Sequence, residues 1–221
     1  MLTFCIRSDI VGLDKKGENI SMTKEQKIKI FKPELDYIQI ERIRMAGELL
    51  IGEIPDYFFE VAASSTGKYH PSFSLGEGGL LRHTKAAVKI AQELLSLEMF
   101  CKYAQETKDL MVLALILHDS RKHGESIEKH KFTISEHPVV ASEAVKSKEE
   151  ELLKLLNIEE IETLCGCIET HMGQWNTDYK TKKEFTRKPQ NGPENFVHVS
   201  DYLASRKFLD IKFDEENNIV L

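Results

Sequence analysis

Eight consecutive residues, LMVLALIL from Leu110 to Leu117, constrain this chain most. A helix made from them is apolar on every side, so it must stand inside a core with protein all around it. The run is the longest uninterrupted apolar stretch in the sequence, and a bilayer span needs about 20 such residues. It leads straight into His118 and Asp119. Two ionisable groups are thereby carried to the edge of the core, where burial without partners costs on the order of several kcal/mol. A bound metal ion removes that cost.

The remaining patterns arrange further helices around this centre. Between residues 24 and 63, Ile38, Ile40, Ile43, Met45, Leu49, Leu50 and Ile54 recur at roughly helical spacing, with Pro33 acceptable near a helix start, which predicts one long or two short helices. Residues 64 to 79, SSTGKYHPSFSLGEGG, have no periodic apolar face and read as a loop. Leu80, Leu81, Thr84, Val88, Ala91 and Leu95 then mark one face of a helix of about five turns, opposite Arg82, Lys85, Lys89 and Glu93, with His83 in its first turn. Asp109 suits the N-cap of the apolar helix. Further helices are expected over Glu136 to Lys146, over Ile158 to His171 with Glu159, Glu160 and Glu162 near its start, and around Asp201 with Phe196, Val199, Leu203 and Phe208. Residues 176 to 194 are basic and contain Gly192 and Pro193, as in a long loop or lid.

The expected organisation is an N-terminal extension over 1–22 with the alternation and turn chemistry of a β-hairpin, a helical domain over 23–210, and a tail over 211–221. The stretch FLDIKFDEENNIVL alternates about a polar turn, the pattern of a terminal hairpin. The fold class is all-α.

With 30 Lys and Arg against 36 Asp and Glu, the net charge of −6 repels polyanions and argues against a protein that coats nucleic acid. Only a local basic pocket remains open. A chain of 221 residues buries roughly 70% of its unfolded surface and needs no structural metal or disulfide, so any metal is expected to serve chemistry. Cys5, Cys101, Cys165 and Cys167 form no pair of CxxC motifs, so neither a zinc ribbon nor a disulfide framework is suggested, and free thiols in a reducing cytosol are expected. The N-terminal MLTFCIRSDIVGLD has Arg and Asp where a signal peptide is apolar. A cytoplasmic protein with no membrane partner is therefore expected.

His83, the His118-Asp119 doublet, His137, His171 and Asp201 combine imidazole nitrogen with carboxylate oxygen, the mixed donor set that borderline divalent ions prefer. Their order matters more than any one of them. HT at His83, HDSRK at His118 to Lys122, EHP at His137, THM at His171 and SDYLASRK at Asp201 together resemble the HD-domain metal-dependent phosphohydrolase superfamily. The strings GEGGLLRHTKAAVKIA and HVSDYLASRK are similar to the branch that includes HD-type 3'-5' exoribonucleases and related nucleotide phosphohydrolases. One departure is Ser120 and Arg121, where the superfamily often has a small apolar residue and Gly.

The resemblance implies an HD-domain helical bundle with a first ion held by His83, His118, Asp119 and Asp201, and a second by Asp119, His137 and His171. One or two divalent ions, of Mn, Fe, Ni, Co, Mg or Zn, are the implied cofactors. Asp119 as the bridge and Lys122 as a cation on the substrate phosphate are the implied catalytic residues. Two such ions lower the pKa of a shared water by several units from about 15.7. Arg82, Lys85, Lys122, Arg206 and Lys207 lie beside the ligands in sequence and are candidates for holding phosphate. Trp175 either stacks on a base or packs against the lid, and His70 is a candidate to reach substrate from its loop. Lys180, Lys182, Lys183, Arg187 and Lys188 either steer an anion or belong to a solvated loop.

Other residues have plainer readings. His198 is expected to be structural, His123 and His130 to sit in a solvated connection, and Cys165 and Cys167 to pack in the core. The expected activity is hydrolysis of a phosphomonoester or phosphodiester in a phosphorylated small molecule or short nucleic acid. A non-catalytic metal- or nucleotide-binding sensor and an RNA-processing subunit are the alternatives.

Overall fold

The structure is a computed structural model and describes residues 21–64, 67–126, 132–178, 180–208 and 211–220. The helices, in chain order, are α1 (Lys24–Ile30), α2 (Lys32–Leu35), α3 (Glu41–Gly52), α4 (Gly79–Leu95), α5 (Gln105–Leu117), α6 (His137–Lys146), α7 (Glu149–Leu152), α8 (Ile158–Thr170) and α9 (Gly192–Ala204). Short 3-10 turns interrupt the connections, among them Asp56–Phe59 and Gly173–Trp175. The expected N-terminal hairpin lies outside the described residues apart from Ser21 and Met22, which are coil.

Helix α5 stands where its composition requires. Every residue from Leu110 to Leu117 is buried, and α3, α4, α8 and α9 surround the helix. Helices α4 and α9 pack on one another, and α6 packs on α8. The free ends are satisfied locally. Thr23 and Gln26 form a capping box on α1, and Asn157 and Glu160 form one on α8, each pairing two backbone N–H groups that the first turn leaves without partners. Among the described residues no helix is long and apolar enough to cross a membrane.

Several expectations are corrected. The segment from residue 24 to 63 breaks into three short helices rather than one or two, because Phe31, Leu35 and Ile38 all turn inward and are fully buried, and Pro33 restarts the helix at α2. Asp109 does not cap α5, which begins four residues earlier at Gln105. Its carboxylate instead accepts from the Ile40 backbone N–H at 2.7 Å, at the entry to α3, and from Gln105 Nε2 at 2.7 Å. His123 is buried rather than solvated, with its ring edge-on to Tyr57 at 5.5 Å. His130 lies outside the described residues.

The segment from 176 to 194 is tied down at its base. Phe185 N donates to Asn176 O at 3.0 Å, Asn176 Nδ2 donates to Thr186 O at 2.6 Å, and Arg187 makes a two-pronged pair with Glu194 at 2.6 Å. At the C-terminus, β1 (Lys212–Phe213) and β2 (Ile219–Val220) pair antiparallel. This hairpin leans on the body of the protein through the Phe213 ring, 5.2 Å from Phe73, and through Asn217 and Asn218.

Candidate metal centre

Five helices deliver the six residues of the His and Asp pattern to one place. His83 comes from the first turns of α4, His118 and Asp119 from the C-terminal end of α5, His137 from the start of α6, His171 from the residue after α8, and Asp201 from α9. The run-on from α5 keeps helical turns through the doublet, with Ser120 N donating to Leu117 O at 3.0 Å and Lys122 N to Asp119 O at 3.1 Å. Arg121 turns away and donates to Glu53 O at 2.9 Å. The Ser120-Arg121 departure therefore leaves the doublet aimed inward.

The site has two halves that share one carboxylate. In the first, Asp201 Oδ1 lies 2.9 Å from His83 Nε2 and 3.4 Å from His118 Nε2, and Asp119 Oδ2 lies 3.9 Å and 3.6 Å from the same nitrogens. In the second, Asp119 Oδ1 lies 3.0 Å from His137 Nε2 and 3.6 Å from His171 Nε2. Asp119 thus sends one oxygen to each half. Lys122 Nζ sits 2.5 Å from Asp119 Oδ2.

The proton positions of three imidazoles follow from their neighbours. His118, His137 and His171 each place Nδ1 2.7 to 2.8 Å from the backbone carbonyl three residues earlier, at Leu115, Ile134 and Ile168. A carbonyl only accepts, so Nδ1 carries a proton, and in the neutral ring Nε2 is left with a lone pair. All three lone pairs point at Asp119 or Asp201, which also offer only lone pairs. His137 Nε2 and His171 Nε2 are themselves only 3.3 Å apart. Acceptors facing acceptors in a buried pocket repel unless a cation lies between them. His118 Nε2 and Asp119 Oδ1 are buried without any hydrogen-bond partner, as expected of atoms kept for a ligand. The donor set fits a divalent ion, and two groups have the required spacing: His83, His118 and Asp201, and His118, Asp119 and His171.

Electrostatics agree with that placement. Burial works to raise the carboxyl of Asp119, but Lys122 and His118 outweigh it and hold the group well below the usual carboxylate range. Asp201 is likewise held low against its burial by His118 and His83. Both acids are therefore anionic at neutral pH. Burial lowers His137, keeping its Nε2 lone pair free, whereas the two carboxylates raise His118 against its burial. A cation competes with a proton for that nitrogen.

A family model of the HD domain matches residues 80–206, more than half of the chain. The chain belongs to the HD-domain family. The matched span runs from the first turn of α4 to just past α9 and contains all six clustered residues, whereas α1 to α3 and the C-terminal hairpin lie outside it. Neither the curated proteins nor the solved structures yield a match. The family places this HD domain in a superfamily of metal-dependent phosphohydrolases.

Among the candidate phosphate-binding cations, the HD domain brings only some to the centre. Arg82 is removed from that role: its guanidinium donates to Phe73 O at 2.5 Å, Leu75 O at 3.0 Å, Glu77 O at 2.8 Å and Asn217 Oδ1 at 2.6 Å. Lys85 is also removed, being fully buried, 3.2 Å from Glu34 Oε2 and 2.7 Å from Ile30 O. The reason is helical geometry, since side chains one and two positions from His83 leave the helix on other faces. Lys207 is exposed past the end of α9. Lys122 touches Asp119, Arg206 and Trp175 flank Tyr202, and the His70 ring lies 5.7 Å from His83. Burial takes the His70 pKa down to about 4, and its Nδ1 is buried without a partner. His198, read as structural, has its Nδ1 2.7 Å from the carbonyl of His171. Its spacing of three residues before Asp201 carried no hint of that contact.

Proposed function

We propose that this HD domain hydrolyses a phosphoester or phosphodiester bond in a nucleotide or short nucleic acid. The observation that carries the reading is the set of three imidazoles fixed through Nδ1, with their Nε2 atoms turned on a carboxylate that reaches both halves of the site. In this reading His83, His118, Asp119 and Asp201 hold one divalent ion, and Asp119, His137 and His171 hold another. Ions so held supply an acidified water and positive charge against the phosphoryl oxygens.

The protein's own groups do the rest. Asp119 and Asp201 orient the nucleophilic side of the site, and the anchored rings keep each Nε2 in place without reorganisation. Lys122, with Nζ beside Asp119 Oδ2, neutralises a non-bridging phosphate oxygen as charge grows there. His70, neutral at pH 7, offers a hydrogen bond to the substrate from the loop beside His83. The site needs no Ser or Cys nucleophile. Ser120 is buried beside the doublet and serves as a neighbouring hydroxyl.

The test is turnover of bis-p-nitrophenyl phosphate and of a panel of nucleotides with Mn, Ni, Co or Mg added to the purified protein. Metal-dependent release of product from at least one of them is expected. Folded protein that turns over none of them with any of the four metals contradicts the reading.

A further inference from the structure

Beside the metal centre, outside its ligand set, three rings and one cation form a ladder. The Trp175 ring stacks on Tyr202 with centroids 5.4 Å apart and planes 9° from parallel. The Arg206 guanidinium lies 4.3 Å from the Tyr202 centroid and 5.9 Å from that of Tyr69. Tyr202 lies in the last turn of α9 and Arg206 two residues past its end, where the chain folds the guanidinium back over the Tyr202 ring.

Each rung leaves the chain next to the centre. The His198 ring, 6.4 Å from that of Tyr202 and 6.0 Å from that of Trp175, contacts the carbonyl of His171, and Asp201, which Tyr202 follows, has a side chain 16% exposed where that of Asp119 is 2% exposed. Tyr69 precedes His70, whose ring approaches His83. Trp175 ends the 3-10 turn that begins two residues after His171.

Packing alone does not account for the ladder. Trp175 is 45% exposed and Tyr69 is 56% exposed, although both belong to a stack. Arg206 has no carboxylate within ion-pair distance among the described residues, its polar contacts being with Ser205 Oγ at 2.8 and 3.2 Å. Flat, half-exposed rings beside a cation with no ion pair among the described residues, next to a phosphoryl site, suit a ligand that joins a planar base to a phosphate.

We propose that Trp175, Tyr202, Arg206 and Tyr69 form a stacking subsite for the nucleobase of the substrate, with the phosphate directed at the metal centre. The proposal rests on the phosphohydrolase reading for its orientation and names the substrate class as base-bearing phosphate esters.

Trp175 is the only tryptophan, so its fluorescence reports on the subsite. Full-length protein with Mg is titrated with adenosine monophosphate, and separately with ribose 5-phosphate, which lacks the base. A saturable change with the first and none with the second is expected, and Tyr202→Leu and Arg206→Gln should each weaken the response about tenfold, the scale of one base stacking on one aromatic ring. Because Tyr202 also supports α9, Trp175→Leu is measured by equilibrium dialysis with the same nucleotide and should show the same weakening. Equal responses to the two phosphates, or unchanged affinity in folded variants, overturn the subsite. Hydrolysis of bis-p-nitrophenyl phosphate and of the nucleotide panel with Mn, Ni, Co or Mg is followed in parallel. Turnover without a nucleotide response overturns the subsite and leaves the phosphohydrolase reading standing, whereas a nucleotide response without turnover supports the subsite and contradicts that reading.

Discussion

Replacing Asp119 by Ala removes both oxygens that face the two halves of the centre, one 3.0 Å from His137 Nε2 and the other 3.6 Å from His118 Nε2. Asp119→Ala is expected to lose at least one bound ion and more than about 100-fold in hydrolysis, since even outer partners of metal ligands are worth about 10- to 100-fold. Wild-type rates in this variant would contradict the bridge. A second residue acts through the backbone. Gly173 has φ of +58°, and a Cβ there would fall 2.2 Å from the His198 ring, the ring that contacts the carbonyl of His171. Gly173→Ala should therefore cost roughly 2–4 kcal/mol from the left-handed backbone and the overlap together. Urea unfolding measures it, and a change below about 1 kcal/mol, within the range of ordinary surface substitutions and slightly beyond, contradicts this account. The six clustered residues were legible in the sequence because they are rare types in a fixed order. Arg82 and Lys85 misled, because closeness in sequence on a helix puts side chains on different faces.

At the scale of elements, strongly periodic helices were legible and their docking was not. The periodicity of residues 80 to 95 and the acidic residues Glu159, Glu160 and Glu162 just after Ile158 predicted α4 and α8 almost to the residue. Nothing local told that Asp109 would serve α3 from inside α5, or that Lys85 would bind Glu34 of α2, since each contact spans 50 residues or more of chain. The Lys85 pair is testable. Burial raises the Glu34 pKa despite Lys85, so Lys85→Met leaves a buried carboxylate alone and should cost about 3–5 kcal/mol at pH 7. The sign with pH is definite. A raised carboxyl binds its proton in the native state before the unfolded chain does, so stability rises as pH falls towards the unfolded value of 4.5, and the deficit of the variant should narrow. A deficit that is constant between pH 7 and 5 in chemical unfolding would show that Glu34 is not the group left unpaired.

Across the whole molecule, the same apolar interior that fixes the centre also sets the alkaline limit of the fold. Burial pushes the Cys167 thiol from 9.0 up to about 12 and the Tyr57 hydroxyl from 10.0 up to about 12. In that window the unfolded chain releases protons that the native state keeps, so stability falls as pH rises, by about 1.4 kcal/mol per pH unit for each group fully engaged. The unfolding free energy should decline from near pH 9, and Cys167→Ala should decline less steeply. A flat profile to pH 11 would contradict the burial of both groups.

The most direct measurement of all is metal content. Purified protein equilibrated with excess Mn and then freed of unbound metal, analysed by mass spectrometry of the element, should retain one to two ions per chain, and His83→Ala combined with His137→Ala, which takes one imidazole from each half, should retain far less. Folded wild-type protein that retains no Mn, and none of Ni, Co, Fe, Zn or Mg in the same experiment, would contradict a site built to hold divalent cations.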